Sequence, residues 1–355
     1  MIDRTSGATG PATTRPPATA TAQFDYDLPD DRIGREPAEP RDSARLLVAL
    51  TAGVEHRHVS NLADYLRPGD VVVLNSTRVM PARVPMARET GGAAEVLLLE
   101  PASDGWWEAL VRPSRKLPPG TRLRAERSET LSFEIGEDLG EGRRLVRPLT
   151  TRAGELDLHA ELEEAGEMPL PPYLNDVHLA DPERYQTVFS REPRSAAAPT
   201  AGLHLTDDLL DTIRGAGASI VEVELVVGLG TFRPITVDFV ADHEMHHEQY
   251  RISADAWAAV KNATRVIAIG TTSVRALESA AATGELEGST NLFISDPYEW
   301  AIVDLLMTNF HQPRSSLLVM IDAFIGARWR EIYDLALADG YRFLSFGDAM
   351  LLERQ

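Results

Sequence analysis

Arg265-Val266-Ile267-Ala268-Ile269-Gly270-Thr271-Thr272-Ser273-Val274-Arg275 is the stretch whose reading decides the fold class. A β-branched run ends on a single glycine and passes through three hydroxyl residues into a helical pattern. This is a strand, a tight turn and a helix start, the unit from which α/β domains are built. Outward from it the alternation continues. Ile220–Val227 reads as a strand, Ser273–Ala282 and Trp329–Asp339 as helices, the second closed by Gly340 at C′, and Tyr341–Phe346 as a returning strand. Free N–H groups and the helix dipole make the Gly270 turn suitable for a carboxylate or phosphate. The plainer alternative is that Thr271 or Thr272 is only an N-cap, stabilising by about 1 kcal/mol.

Upstream the pattern changes. Val71–Leu74, Glu95–Leu99, Trp106–Val111, Thr121–Ala125 and Leu131–Ile135 are short strands, broken by Gly91-Gly92, Pro118-Pro119-Gly120 and the Gly136–Gly142 stretch. Such spacing predicts a small barrel or sandwich. The expected organisation is an α/β main domain with an inserted all-β, barrel-like domain. Residues 1–22 (Thr, Ala, Pro and Gly) form a disordered extension, 23–75 with 157–355 the α/β catalytic domain, and 76–156 the barrel. Within the barrel, Arg112, Arg115, Lys116, Arg122, Arg124 and Arg127 make a basic run, either a solvated face or a phosphate-contacting patch.

Bulk properties narrow the function. The 355 residues are 43% hydrophobic and 25% charged, ordinary for a globular protein. No apolar run approaches the roughly 18 residues that span a bilayer, so no membrane association is expected. No secretory signal opens the chain, and a cytoplasmic location is expected. Cysteine is absent, which removes disulfides, thiolate nucleophiles and Cys-based metal sites together. The formal net charge of −19 opposes polyanionic partners except through a local basic face.

Five of the nine histidines fall in three segments, the strongest unaided sign of acid–base chemistry. His204 ends Ala198-Pro-Thr200-Ala-Gly202-Leu-His204, a loop leading into a helix capped by Thr206. Thr308-Asn309-Phe310-His311 precedes Pro313. His243-Glu244-Met245-His246-His247 matches the H-E-x-x-H zincin pattern, which needs both histidines on one helical face. Extended sequence at Tyr250–Ser253 and Pro234 upstream argue against that helix, leaving a loop that presents His243, His246 and Glu248 to a cleft. Gly228-Leu229-Gly230 fails as a dinucleotide fingerprint, because Arg233 stands where a glycine belongs and Pro234 follows.

Taken together the motifs have a family likeness. Phe24-Asp-Tyr-Asp-Leu-Pro29, Arg41-Asp42, Pro68-Gly-Asp70, Thr77-Arg78-Val79, Pro169-Leu-Pro-Pro-Tyr173, Ala197-Ala-Pro-Thr-Ala-Gly-Leu-His204, Gly228-Leu-Gly-Thr-Phe232, His243-x-Met245-His246-x-Glu248-x-Tyr250, Gly270-Thr-Thr-Ser-Val-Arg275, Thr308-Asn-Phe-His311 and Gly347-Asp-Ala-Met350 stand in family order after residue 23. The chain resembles the S-adenosylmethionine:tRNA ribosyltransferase-isomerase family of queuosine biosynthesis. The resemblance implies an α/β domain carrying an inserted β-barrel. It also implies transfer of the ribosyl part of S-adenosylmethionine to the aminomethyl group of a 7-deazaguanine in tRNA, with adenine and methionine released. S-adenosylmethionine is then a substrate, and neither a metal nor a tightly held cofactor is expected. Glu244 and His247 fall at variable positions of the family pattern, against the zincin reading.

Residue chemistry laid over those motifs assigns proton transfers to His204, His243, His246, Glu248 and His311. Substrate contacts go to Thr200, Gly202, Gly230, Thr231, Thr271, Thr272, Arg275, Asn309 and Asp348. Thr271, Thr272 and Arg275 are expected to hold the methionine carboxylate, and Asp348 the ribose hydroxyls or the ammonium. Alanine at His204 or Glu248 is expected to abolish adenine release with the fold intact. The partner is tRNA, met through the basic run, and the chain is expected to act as a monomer. Several positions depart from the family pattern: Val226 replaces a histidine, Arg194-Ser195-Ala196 a Gly-Ser/Ala-Val run, Leu205 a phenylalanine, Asp296-Pro297 a Pro-Gly pair and Gln312 a leucine. They leave open a paralogue that uses S-adenosylmethionine with another acceptor or none.

Overall fold

Continuous apolar runs mark strands covered on both faces, and alternating runs mark strands with one face in a core. The computed structural model, which describes residues 19–154, 156–174, 176–177, 179–228 and 234–355, follows that division. The extension expected over 1–22 lies outside the described residues up to position 18. Residues 19–22 pack against the body, with Thr21 buried and its N–H donating to Asp238 O at 2.8 Å.

The chain begins with β1 (Arg45–Leu50), β2 (Gly53–His58) and the wholly buried β3 (Asp70–Asn75), then the two-residue β4 (Arg78–Val79). Six strands follow: β5 (Arg83–Arg88), β6 (Ala93–Pro101), β7 (Trp107–Arg112), β8 (Arg122–Ala125), β9 (Leu131–Gly140) and β10 (Arg143–Thr150). They close into an antiparallel barrel in the order β10-β7-β6-β5-β8-β9. Alternation drives the closure: Leu123 and Ala125 of β8, and Leu131, Phe133 and Ile135 of β9, point into one core. Helix α1 (Leu158–Ala165) is tied to the barrel by buried Glu161, whose carboxylate accepts from the Thr130 and Thr150 hydroxyls at 2.8 and 2.7 Å.

The remainder is α/β: β11 (Pro193–Ser195), α2 (Asp207–Gly215), β12 (Ser219–Leu225), β13 (Glu248–Ile252), α3 (Ala254–Lys261), β14 (Arg265–Ile269), α4 (Thr271–Thr283), β15 (Glu287–Thr290), β16 (Leu305–Asn309), α5 (Ser316–Ile325), α6 (Arg328–Ala338) and β17 (Ala349–Glu353). The main sheet runs β15-β13-β12-β3-β14-β16-β17-β1-β2. Its odd and even residues feed two cores. Val71, Val73, Val266 and Ala268 meet α3–α6, whereas Val72, Leu74, Ile267 and Ile269 meet α2.

One expected strand is absent. Tyr341–Phe346 is a folded loop in which Leu344 has φ of +71°. Phe343 makes an isolated parallel bridge with Ile33 that does not extend into a strand, the rings of Tyr341 and Phe343 join an aromatic cluster with Phe310, and the strand comes later, as β17.

Topology places the chemistry. Strands β12, β3, β14 and β16 are mutually parallel, so their C-terminal ends share one edge of the sheet. Strand β13 runs antiparallel to β12, and β17 antiparallel to β16, so the beginnings of these two strands reach the same edge. The loops after parallel strands are where α/β sheets bind ligands.

Candidate active site

At that edge Gly270 adopts φ of +86°, and its N–H donates to Met307 O at 2.8 Å, joining the ends of β14 and β16. The positive-φ turn leads the chain directly into α4, and among the described residues no side chain caps the helix. The first N–H groups of α4 are therefore open, and Thr271 and Thr272 line a cleft with Thr200, Val227, Thr308, His311 and Leu317. Thr272 is buried, yet its Oγ1 has no hydrogen-bond partner among the described residues. A partnerless hydroxyl beside uncapped N–H groups and the positive end of a helix has the polarity that favours an anion. Replacing Thr272 by valine is expected to leave stability unchanged or raise it by about 1 kcal/mol, since the orphan is removed. The same change is expected to weaken binding of a carboxylate-bearing ligand at the helix start roughly tenfold, read as Kd by calorimetry beside a denaturant titration.

A second compartment adjoins the first through Thr200, His311 and Leu317, and adds Tyr173, Asn309, Gln312, Leu344 and Ser345. Asn309 organises its wall. The Asn309 Oδ1 accepts from Thr200 Oγ1 at 2.9 Å, and its Nδ2 donates to Leu344 O at 3.1 Å and to His204 Nε2 at 3.1 Å. Because a carbonyl can only accept, Leu344 O fixes which end of the amide is nitrogen. His204 Nε2 is therefore an acceptor, and its proton sits on Nδ1. His204 stands behind Thr200 and Asn309 rather than on the wall. Burial, and then the charges of Arg342 and Arg41, lower its pKa to about 4.

His311 is on the wall of both compartments. Its Nε2 lies 3.1 Å from Thr308 Oγ1, and burial lowers its pKa to about 3. Both imidazoles are thus neutral when folded and ordinary, near 6.5, when unfolded. The unfolded chain then binds more protons at acidic pH, so the contribution to stability is full above pH 6.5 and lost as pH falls toward 4 and 3. At pH 5 each histidine costs about 2 kcal/mol by this linkage. Urea titrations at pH 7 and pH 5 should show a smaller acid loss in His311→Gln than in the parent chain.

Glu248 opens β13 and is buried. One carboxylate oxygen pairs with the Arg275 guanidinium and the other accepts from Gly228 N–H at 3.1 Å. Arg275, one helical turn past Thr271 and Thr272, also donates from Nε to Leu292 O at 3.2 Å. Its Nη2 has no partner among the described residues, and burial lowers its pKa to about 10.

An outer cleft holds Gly228, Asp242, His243, Glu244, His246 and Glu248, with Glu141 from the β9–β10 hairpin of the barrel. Val227 lines the inner cleft and Gly228 the outer one, so the two adjoin along this chain segment. His243 is half-buried against Phe293, its pKa lowered by burial and then by His246, while His246 is exposed. Residues 243–247 are not helical, so the zincin reading has no helical face to use.

Other expected site residues have different surroundings. Asp348 Oδ1 accepts from Arg45 N–H at 2.9 Å and Oδ2 from Arg342 N–H at 2.8 Å, so this carboxylate holds two backbone segments together. Gly202 packs against Phe189 and Thr187, with no room for a Cβ. Gly230 and Thr231 lie outside the described residues. Tyr173, Leu344 and Ser345 were missed as wall residues. Tyr173 and Ser345 share a hydrogen bond of 2.7 Å, and the positive φ of Leu344 has no sequence signature.

The family model described as queuosine biosynthesis protein matches residues 21–352. The chain belongs to that family. The S-adenosylmethionine:tRNA ribosyltransferase-isomerase of Rubrobacter xylanophilus is 49% identical, over 94% of this chain and 97% of the relative. That of Thermus thermophilus is 48% identical, over 93% and 98%. The crystal structure of S-adenosylmethionine tRNA ribosyltransferase from Thermotoga maritima aligns with a TM-score of 0.53 at 34% identity, covering 93% of this chain and 99% of that one. The α/β sheet with its closed barrel is thus that of an enzyme family of queuosine biosynthesis, whose named members are transferase-isomerases. No described helix is long and apolar enough to cross a membrane.

Proposed function

We propose that the chain moves the ribosyl part of S-adenosylmethionine onto the aminomethyl group of 7-aminomethyl-7-deazaguanine in tRNA, giving epoxyqueuosine, adenine and methionine. The observation that carries this reading is the sharing of one inner cleft by an open anion site at Thr271–Thr272 and the neutral imidazole of His311. The helix start receives the methionine carboxylate. The sulfonium acidifies the C5′ hydrogens of the sugar, so a neutral imidazole of modest basicity suffices to take one. His204 acts through Asn309, which orders the adjoining wall. His243 and His246, with Glu248 behind them, serve the outer cleft, where the attacking amine must be neutral and departing adenine needs a proton.

The outer cleft lies against the barrel, which suits a macromolecular acceptor. Arg112, Arg115, Lys116, Arg122 and Arg124 are exposed and make no ion pair among the described residues, whereas Arg127 pairs with Glu167. Strands β7 and β8 stand three places apart in the six-strand ring. The basic run therefore rises from opposite walls and is continuous only around the segment between Arg112 and Arg122. Phosphates of the anticodon arm are the proposed contacts of that end of the barrel.

The test is incubation with S-adenosylmethionine, with and without tRNA bearing 7-aminomethyl-7-deazaguanine. Adenine release that requires this tRNA, together with the corresponding mass gain on its nucleoside, is the expected result. Release indifferent to the tRNA would sink the acceptor assignment and point to another acceptor or none.

A further inference from the structure

We propose that Tyr26 and Tyr333 are positioning residues that clamp the backbone of His311 from both sides and so set its ring in the cleft. The inference rests on the reading that His311 faces the reacting sugar. The His311 N–H donates to Tyr333 Oη at 3.0 Å, and the Tyr26 hydroxyl donates to His311 C=O. The peptide planes before and after His311 are thus each held by a phenol, which leaves its φ and ψ little freedom. The two rings meet edge to face, with centroids 5.3 Å apart, so the hydroxyls are held relative to each other as well. Burial raises the pKa of both phenols, keeping them protonated. The ring of His311 is then placed 3.1 Å from Thr308 Oγ1, on the wall shared by both inner compartments.

The rest of the loop is fastened in the same way. Arg314 adopts φ of +56°, donates its N–H to Phe24 O at 2.8 Å and accepts from Ile235 N–H at 2.8 Å. The segment Phe24–Tyr26 is therefore a strap along the His311 loop, joined by side chain at one end and by backbone at the other. The competing explanation is that Tyr26 and Tyr333 serve only the aromatic core, where they meet Trp329 and Phe343.

Tyr26→Phe and Tyr333→Phe keep those ring contacts and remove only the hydroxyls. Each is expected to lower the kcat for adenine release tenfold or more, with KM for S-adenosylmethionine within twofold. In a His311→Gln background the same substitutions are expected to cost less than twofold. In 15N-histidine-labelled protein, the ring signal lost in His311→Gln should shift in both phenylalanine variants, while that of His204 stays in place. A tenfold loss that persists in the His311→Gln background, or a His311 signal unmoved in both variants, would overturn the proposal. Full activity of His311→Gln would instead refute the role of His311 itself, and the ring signal still decides whether the clamp exists.

Discussion

Alanine in place of His311 is expected to slow adenine release by roughly 10²–10⁴-fold, the range over which a positioned proton carrier contributes. His311 is the one histidine among the described residues on the wall of the inner cleft, and its depressed pKa keeps it unprotonated at neutral pH. The substitution removes an imidazole that meets Thr308 and leaves the backbone clamp intact, so the proposed anion site at the start of α4 is untouched. Affinity for S-adenosylmethionine should therefore hold within a few-fold while turnover collapses, a split that rapid-quench kinetics and calorimetry read separately. Equal losses in affinity and turnover would mean that His311 shapes the cleft without taking part in proton transfer. His204→Ala is expected to act less directly, through the Asn309 amide, and to raise the rate of unproductive binding before it abolishes chemistry.

Glu248→Ala is expected to cost about 3–5 kcal/mol of stability, the penalty for stripping one partner from a buried ion pair. That is a large share of the roughly 5–15 kcal/mol that holds a typical domain together. Arg275 would be left buried with Nη1 newly unpaired beside an Nη2 that has no partner among the described residues, and Gly228 N–H would lose its acceptor. Activity is expected to fall as well, because Gly228 lies where the inner and outer clefts meet. The expectation that alanine here leaves the fold intact is therefore revised: the structure makes Glu248 a support of the cleft as much as a member of it. Removing both charges with Glu248→Gln and Arg275→Met should restore much of the stability and none of the activity. Urea titration of the single and double variants checks this, and a single variant as stable as the parent would show that the pair contributes little.

The site was legible where local chemistry speaks for itself. The Gly270 turn with Thr271 and Thr272, and the loop carrying Thr308, Asn309 and His311, announce strand ends that present polar groups. It was not legible where a side chain's task depends on a distant partner. Asp348 is an aspartate in a motif, yet its carboxylate is spent on Arg45 and Arg342 backbone N–H groups. His204 and His311 look equivalent in sequence, and only the placement of Asn309 puts one behind the wall and the other on it. Tyr341–Phe346 has the alternation of a strand, but the pull of its aromatic residues into the Phe310 cluster outweighs ladder pairing.

By itself the sequence determined the α/β class, the inserted barrel and the kinds of group available for proton transfer and anion binding, because periodicity, turn chemistry and residue type are local properties. Only the tertiary structure decided which groups share a cleft, which are neutral and which are committed to holding the chain. Those outcomes depend on burial and on hydrogen-bond partners far off in the chain, 285 residues for Tyr26 and His311 and 303 for Arg45 and Asp348, and on the parallel and antiparallel order that brings six chain segments to one edge of a sheet.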